Sequence, residues 1–237
     1  MKVDHWAGRL LDLLLPPRCR LCGDPAAAAS RLCAPCEQEL PWLNGACARC
    51  ARPGPETLRC GVCQRRPPAF DRTTALLQYR PPVDYLLKRL KFSGELAIAP
   101  LLAGLLAERI AVRTAPLPAL LIPVPLHRSR VRERGYNQAG LLARCLGQQL
   151  ALPVAARLCA RRRATRPQSL LNPADRQRNL RRAFAVRAPL PATHLAIVDD
   201  IMTTGHTAGA LARALKRAGA GEVEVWVIAR AAVQTAT

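Results

Sequence analysis

Four Cys-x-x-Cys pairs fall between residues 19 and 63: Cys19/Cys22, Cys33/Cys36, Cys47/Cys50 and Cys60/Cys63. A tetrahedral zinc ion takes four thiolates, and two such turns carried close together on short ribbons supply them, so eight cysteines permit two closed sites. A stretch of about 50 residues cannot build a core that holds on its own, and metal bonds replace one. One or two structural zinc ions are therefore expected. Consecutive pairing, Cys19/Cys22/Cys33/Cys36 and then Cys47/Cys50/Cys60/Cys63, is the simplest arrangement; spacing alone leaves interleaved pairing open. A run of four redox pairs would be an odd alternative. Cys145 and Cys159 stand alone in apolar surroundings and read as small buried hydrophobes.

The compartment follows from what surrounds the cysteines. Residues 5–15 are interrupted by Arg9 and Asp12 and run into Pro16-Pro17, which suits a short amphipathic helix within residues 1–18 better than an export signal. Reduced cysteines and a cytoplasmic location are the expectation. The longest uncharged apolar run, residues 96–107, contains Pro100 and is too short to span a bilayer. Thirty-six Lys and Arg against sixteen Asp and Glu leave a formal charge of +20, a surface that attracts phosphates. An arginine-rich composition with only four lysines is equally consistent with coding bias.

After Arg65-Arg66-Pro67-Pro68 the cysteine pattern stops and strand-like and helix-like stretches alternate, which places a boundary near residue 68. Strands are expected at residues 74–79, 119–124, 154–158, 195–200 and 222–229. Helices are expected at 82–92, 96–112, 137–150 and 206–218, the last stopped by Gly219. Such alternation implies an α/β domain with a mostly parallel sheet covered on both faces.

Chemistry concentrates where an apolar strand ends in Asp199-Asp200 and passes through Ile201-Met202-Thr203-Thr204-Gly205-His206-Thr207 into a helix. Ligands of α/β sheets bind beyond the carboxyl ends of strands. Free N–H groups at the helix start can hold a phosphate, with threonine hydroxyls and a glycine that lets the backbone approach. Adjacent carboxylates repel unless a cation or hydroxyl donors face them. A strand followed by a capped helix would account for Thr204 and Thr207 but not for the two acids. Upstream, Arg128, Arg130, Arg132 and Arg134 recur every second residue; in an extended chain they share one face and present guanidiniums to phosphate oxygens. Residues 160–182 hold eight arginines with Pro167 and Pro173 and little apolar periodicity, which reads as a long loop inside the domain.

The run from Ala196 to Thr207 resembles the phosphoribosyl-pyrophosphate (PRPP) signature of type I phosphoribosyltransferases. Three further stretches narrow the resemblance to the ComF (competence protein F) family. They are the four cysteine knuckles, Pro123-Val124-Pro125-Leu126-His127 running to Arg134-Gly135-Tyr136-Asn137-Gln138-Ala139, and the segment with Thr165, Gln168, Leu171, Arg178-Asn179 and Ala183-Phe184.

The resemblance implies a double zinc ribbon over residues 19–68 and a type I phosphoribosyltransferase fold over 69–237. It assigns Asp199 and Asp200 to the ribose hydroxyls of PRPP and Thr203, Thr204, Gly205, His206 and Thr207 to its 5-phosphate. By position, His127, Arg128, Arg130 and Arg134 would take the pyrophosphate. A flexible lid carrying Arg162, Gln168, Arg178 and Asn179 would exclude water and stabilise the leaving group. The implied reaction is displacement of pyrophosphate by a nitrogen nucleophile with Mg²⁺ assisting, in a protein linked to DNA uptake and to competence proteins. Thr203 stands where hypoxanthine-type enzymes carry an aspartate base, which argues against those purines as acceptor. Two other readings share these residues: a catalytically silent module for single-stranded DNA, and a PRPP sensor without turnover. Aromatic content of 4% counts against the first, because tolerant single-strand binding uses stacking platforms.

Overall fold

A computed structural model describes residues 17–26, 31–54, 59–162 and 183–232. Four parallel strands make the central sheet: β1 (Arg72–Gln78), β2 (Leu120–Pro123), β5 (His194–Met202) and β6 (Glu222–Arg230), in the order β1-β6-β5-β2. β3 (Cys159–Arg161) and β4 (Phe184–Val186) form a separate antiparallel pair. The helices are α1 (Ala34–Gln38), α2 (Gly61–Arg65), α3 (Val83–Phe92), α4 (Ile98–Ala111), α5 (Arg128–Arg134), α6 (Gln138–Gln149) and α7 (His206–Arg217). The expected α/β class with a parallel sheet stands.

Side chains alternate across each strand, and the core divides accordingly. Ala196 and Val198 of β5 and Trp226 and Ile228 of β6 pack with Leu87 of α3, Leu102 and Leu106 of α4 and Leu142 of α6. Leu195 and Ile197, with Val225 and Val227, pack instead with Leu211 and Leu215 of α7. Strands apolar on both faces are what a parallel sheet covered by helices on each side demands.

The cysteine ribbons are built into this core. Cys19, Leu32 and Leu40 join the first cluster; Leu43 and Ala51 join the second. Residues 41–49, leading into the second ribbon, run along the open edge of β1: Leu43 N–H donates to Leu76 O at 3.0 Å, Gln78 N–H to Pro41 O at 2.8 Å, and Thr73 Oγ1 to Arg49 O at 2.7 Å. An edge that would otherwise expose unpaired backbone groups is thereby covered.

Two expectations need correction. Residues 128–134 are helical, with the His127 ring accepting from Ser129 N–H at 3.3 Å at its start and Gly135 in the left-handed region (φ 80°) at its end. Residues 154–158 do not form a strand. Val154 makes a single parallel bridge to Leu121, the chain turns, and the strand is Cys159–Arg161. Of the expected N-terminal helix within residues 1–18, residues 1–16 lie outside the described residues, and Pro17 and Arg18 are not helical. Among the described residues, no helix is long and apolar enough to cross a membrane.

Candidate functional site

Consecutive pairing of the cysteines is what the structure shows. Cys19, Cys22, Cys33 and Cys36 form one cluster and Cys47, Cys50, Cys60 and Cys63 the other, with all sulfurs of a cluster within 4.8 Å of one another. Four thiolates about 2.3 Å from a zinc ion stand about 3.8 Å apart. The Cys22–Cys33 and Cys50–Cys60 sulfur separations of 3.5 and 3.7 Å match that edge. In each cluster one thiol ionises most readily, while burial and the neighbouring sulfurs push Cys36, Cys50 and Cys63 up. Burial opposes ionisation of Cys19, but backbone N–H groups of Cys22, Cys33 and Leu21 outweigh it and bring the thiol down to about 6. Cys47 is brought down to about 7 in the same way, with Cys60 N–H 3.2 Å from its sulfur.

At the other centre, strand alternation sends the two aspartates to opposite faces of the sheet. Asp199 shares a face with Ile197 and lines a small cavity of about 40 Å³ together with Thr203, Thr204, Gly205, His206 and Thr207. Asp200 shares a face with Val198, is buried, and pairs with Lys91 of α3, whose Nζ lies 2.7 Å from its Oδ2. Burial, with the Asp200 carboxylate next in effect, pushes the Asp199 carboxyl well above its ordinary range.

The loop after β5 is anchored beneath and open above. Gly205 adopts φ 77° as the residue before α7, a region an L side chain rarely occupies, and a Cβ there would stand 3.6 Å from Phe70. Thr203, Thr204 and His206 are exposed. α7 is twelve residues long, so the N–H groups of its first turn and its positive dipole end meet that open loop.

Four residues separate the end of β2, the neighbour of β5, from the start of helix α5. Its helical form divides the four arginines: Arg130 and Arg134 are half-buried on one side, Arg128 and Arg132 exposed on the other. The shared face expected of an extended stretch is thus lost, because residues two apart on a helix point to different sides. Arg134 lies 5.1 Å over the Phe92 ring and donates to Gln138 at 3.2 Å; Arg130 pairs with Glu133 at 3.0 Å. His127 spends Nδ1 on Ser129, 2.8 Å from its hydroxyl.

Two cations at this site were not singled out from the sequence. Lys91 is the first. Tyr136 donates its hydroxyl to Leu90 O, fixing the end of α3 from which Lys91 reaches Asp200. Arg161 of β3 is the second: burial lowers its pKa, while the Asp199 carboxylate favours its charged form and Arg130 opposes it. Arg162 follows β3, its N–H donating to Ala183 O at 2.8 Å. Gln168, Arg178 and Asn179 lie outside the described residues.

A third group of potential ligands, His194, Glu222 and Glu224, lies at the opposite end of the sheet. Glu224 is fully buried and already held by Arg113 at 2.7 Å through both oxygens, by Trp226 Nε1 at 2.8 Å and by His194 Nε2 at 3.0 Å. That network satisfies itself and is structural.

Comparison with known proteins gives the following. The family described as "Double zinc ribbon domain" matches residues 10–64. The chain is 35% identical over 224 residues to the DNA utilization protein YhgH of Salmonella typhi, covering 92% of this chain and 99% of that one. It is 35% identical over 226 residues to Competence protein F of Haemophilus influenzae, covering 90% and 97%. Competence protein ComFC of Bacillus subtilis is 26% identical over 200 residues, covering 80% and 79%. Among solved structures, a purine phosphoribosyltransferase from Pyrococcus horikoshii is similar at 16% identity and TM-score 0.31, over 67% of this chain and 87% of that one.

Proposed function

The chain belongs to the family of Competence protein F and DNA utilization protein YhgH, and from that membership we propose that it binds PRPP at the β5–α7 loop and transfers the phosphoribosyl group to a nitrogen acceptor in the service of DNA uptake or use. One observation supports the reading: Asp199 and the 203–207 loop line the same cavity, so a hydroxyl acceptor and the N–H groups of a helix start border one space.

On this reading the 5-phosphate sits on the N–H groups of Thr204 to Thr207, and Asp199 accepts from the ribose hydroxyls. Lys91 is held in reserve by Asp200, 2.7 Å away, and can exchange that partner for a ligand oxygen. Arg130, Arg134 and Arg161 approach from β2 and β3 to meet the pyrophosphate, whose departure they favour by offsetting its charge. The C1–O bond to pyrophosphate breaks as the bond from C1 to the acceptor nitrogen forms. With Asp200 already paired to a lysine, the acidic pair is a poor metal site by itself, so Mg²⁺ would arrive on the ligand's own phosphates. Zinc supplies structure to both ribbons.

Calorimetry with PRPP and Mg²⁺, followed by a pyrophosphate-release screen across nucleobases, tests the proposal. Absence of PRPP binding by zinc-loaded protein would overturn it. A second reading, direct binding of single-stranded DNA, draws on the +20 charge.

A further inference from the structure

One buried side chain joins the second zinc ribbon to the phosphate loop. Arg230 ends β6 at 2% exposure. Its Nε donates to the backbone carbonyl of Cys50, a ligand of the second cluster, at 2.9 Å. Its Nη1 donates to Met202 O at 3.0 Å, to Ala231 O at 2.7 Å and to Thr203 O. Met202 and Thr203 are the residues that carry the chain from β5 into the loop. Around this bridge the two parts stand apart: a cavity of about 320 Å³ separates them, lined on one side by Cys50 and Cys63 and on the other by Thr204, Gly205 and His206.

Burying a guanidinium is costly unless every donor is used and an anion stands near. Here carbonyls take the Nε and Nη1 donors, and the cysteine cluster that includes Cys50 stands beside the guanidinium. Four thiolates around one zinc ion retain net negative charge, so a loaded site supplies the anion while fixing the Cys50 carbonyl in place.

We infer that Arg230 is a positioning residue through which the second zinc site sets the geometry of the 203–207 loop. The consequence is that zinc occupancy at Cys47/Cys50/Cys60/Cys63 governs how well the loop holds its anion. This rests on the reading of that loop as the phosphate site, and the coupling is reciprocal: whatever orders the loop also steadies the ribbon.

The full-length, zinc-loaded protein is compared with Arg230→Met, Arg230→Lys and Cys60→Ser by hydrogen–deuterium exchange, zinc analysis and calorimetry with PRPP and Mg²⁺. Expected is loss of protection confined to residues 202–207 and the second ribbon in Arg230→Met and Cys60→Ser, with α4 and the central strands unchanged. Arg230→Lys, which keeps the charge, should fall between parent and Arg230→Met. PRPP affinity should drop at least about fivefold in Arg230→Met while that variant keeps two zinc ions. A merely structural arginine predicts instead a uniform loss of protection with unaltered affinity in the folded fraction; that result, or unchanged loop protection in Cys60→Ser, overturns the inference. If Arg230→Met does not fold, the loop peptides of Cys60→Ser and Arg230→Lys decide alone. If the parent fails to bind PRPP yet the loop peptides respond as described, the coupling stands and the ligand assignment falls.

Discussion

Replacing the two aspartates one at a time should move stability in opposite directions. The Asp199 carboxyl is pushed well above its ordinary value of 3.8 by burial and by Asp200. The folded protein therefore keeps a proton that the unfolded chain releases once pH passes 3.8, and stability falls as pH rises from there through the raised value. Asparagine keeps the shape and removes the titration, so Asp199→Asn should gain on the parent across that interval and hold its gain above it. Asp200→Asn should lose. Its carboxylate is 9% exposed and pairs at 2.7 Å with a lysine that is 21% exposed, so removal strands an ammonium already stripped of most of its water. Leaving such a group unsatisfied costs about 1–3 kcal/mol, and at about 2–4 °C per kcal/mol in a chain of this size the melting temperature should fall by about 2–12 °C. For the ligand, Asp199→Asn exchanges a charge-assisted acceptor for a neutral one at about 1 kcal/mol and Asp200→Asn removes the partner that holds Lys91, so on the proposed reading the double variant should bind PRPP at least about fivefold more weakly. Thermal melts at pH 5 and pH 8 and calorimetry with PRPP and Mg²⁺ read both effects. An Asp199→Asn protein less stable than the parent at pH 8 refutes the burial and repulsion argument. A double variant that binds PRPP as tightly as the parent refutes the site.

Protein purified without added metal should carry two zinc ions per chain, and Cys22→Ser or Cys60→Ser should each remove one of them; metal analysis that finds none would sink both ribbons. Arg113→Met leaves Glu224 fully buried without its bidentate partner, and unfolding titrations should show a loss of about 3–5 kcal/mol. Burial works against Glu224, but Arg113, Trp226 and His194 together hold its pKa below 4.5, so its contribution is complete above that value and drains away as pH falls beneath it. Binding of a random single-stranded oligonucleotide should weaken steeply with salt if the +20 surface is responsible, and affinity that stays flat would assign the charge to composition alone.

Much of the scaffold was readable because its physics is local. The apolar run before Asp199 is buried on both faces, as a central parallel strand must be, and of the cysteine pairings that spacing left open the simplest is the one the structure shows. The failure at 128–134 is instructive. Arginine at every second position imitates a strand, yet the same stretch holds a capping residue at its start, His127, and a left-handed glycine at its end, Gly135. Those termini outweigh the period of a solvated side chain, whose face costs little to expose. At 154–158 an apolar window beside Pro153 was read as a strand. Pro153 lends only its carbonyl, to Leu121 N–H at 2.9 Å, and pairing lasts one residue before the chain turns away.

Within the site, legibility follows contact order. Adjacent acids at the end of an apolar strand announce themselves, whereas Lys91 meets Asp200 and Arg230 meets Cys50 only after the chain has folded across more than a hundred residues. Yet the alternation of a strand already required Asp199 and Asp200 to face opposite helical layers, and that step explains the rest. The layer on the Asp200 side carries Lys91, just before the turn where Glu95 pairs with Arg20 of the first ribbon at 3.1 Å. The layer on the Asp199 side carries the 203–207 loop, tied by Arg230 to the second ribbon. If the 203–207 loop and Lys91 serve one ligand, as proposed, each zinc ribbon braces one half of a site that the sheet divides, which gives a physical reason for two ribbons: a loop and a lysine on opposite faces cannot be fixed from a single side.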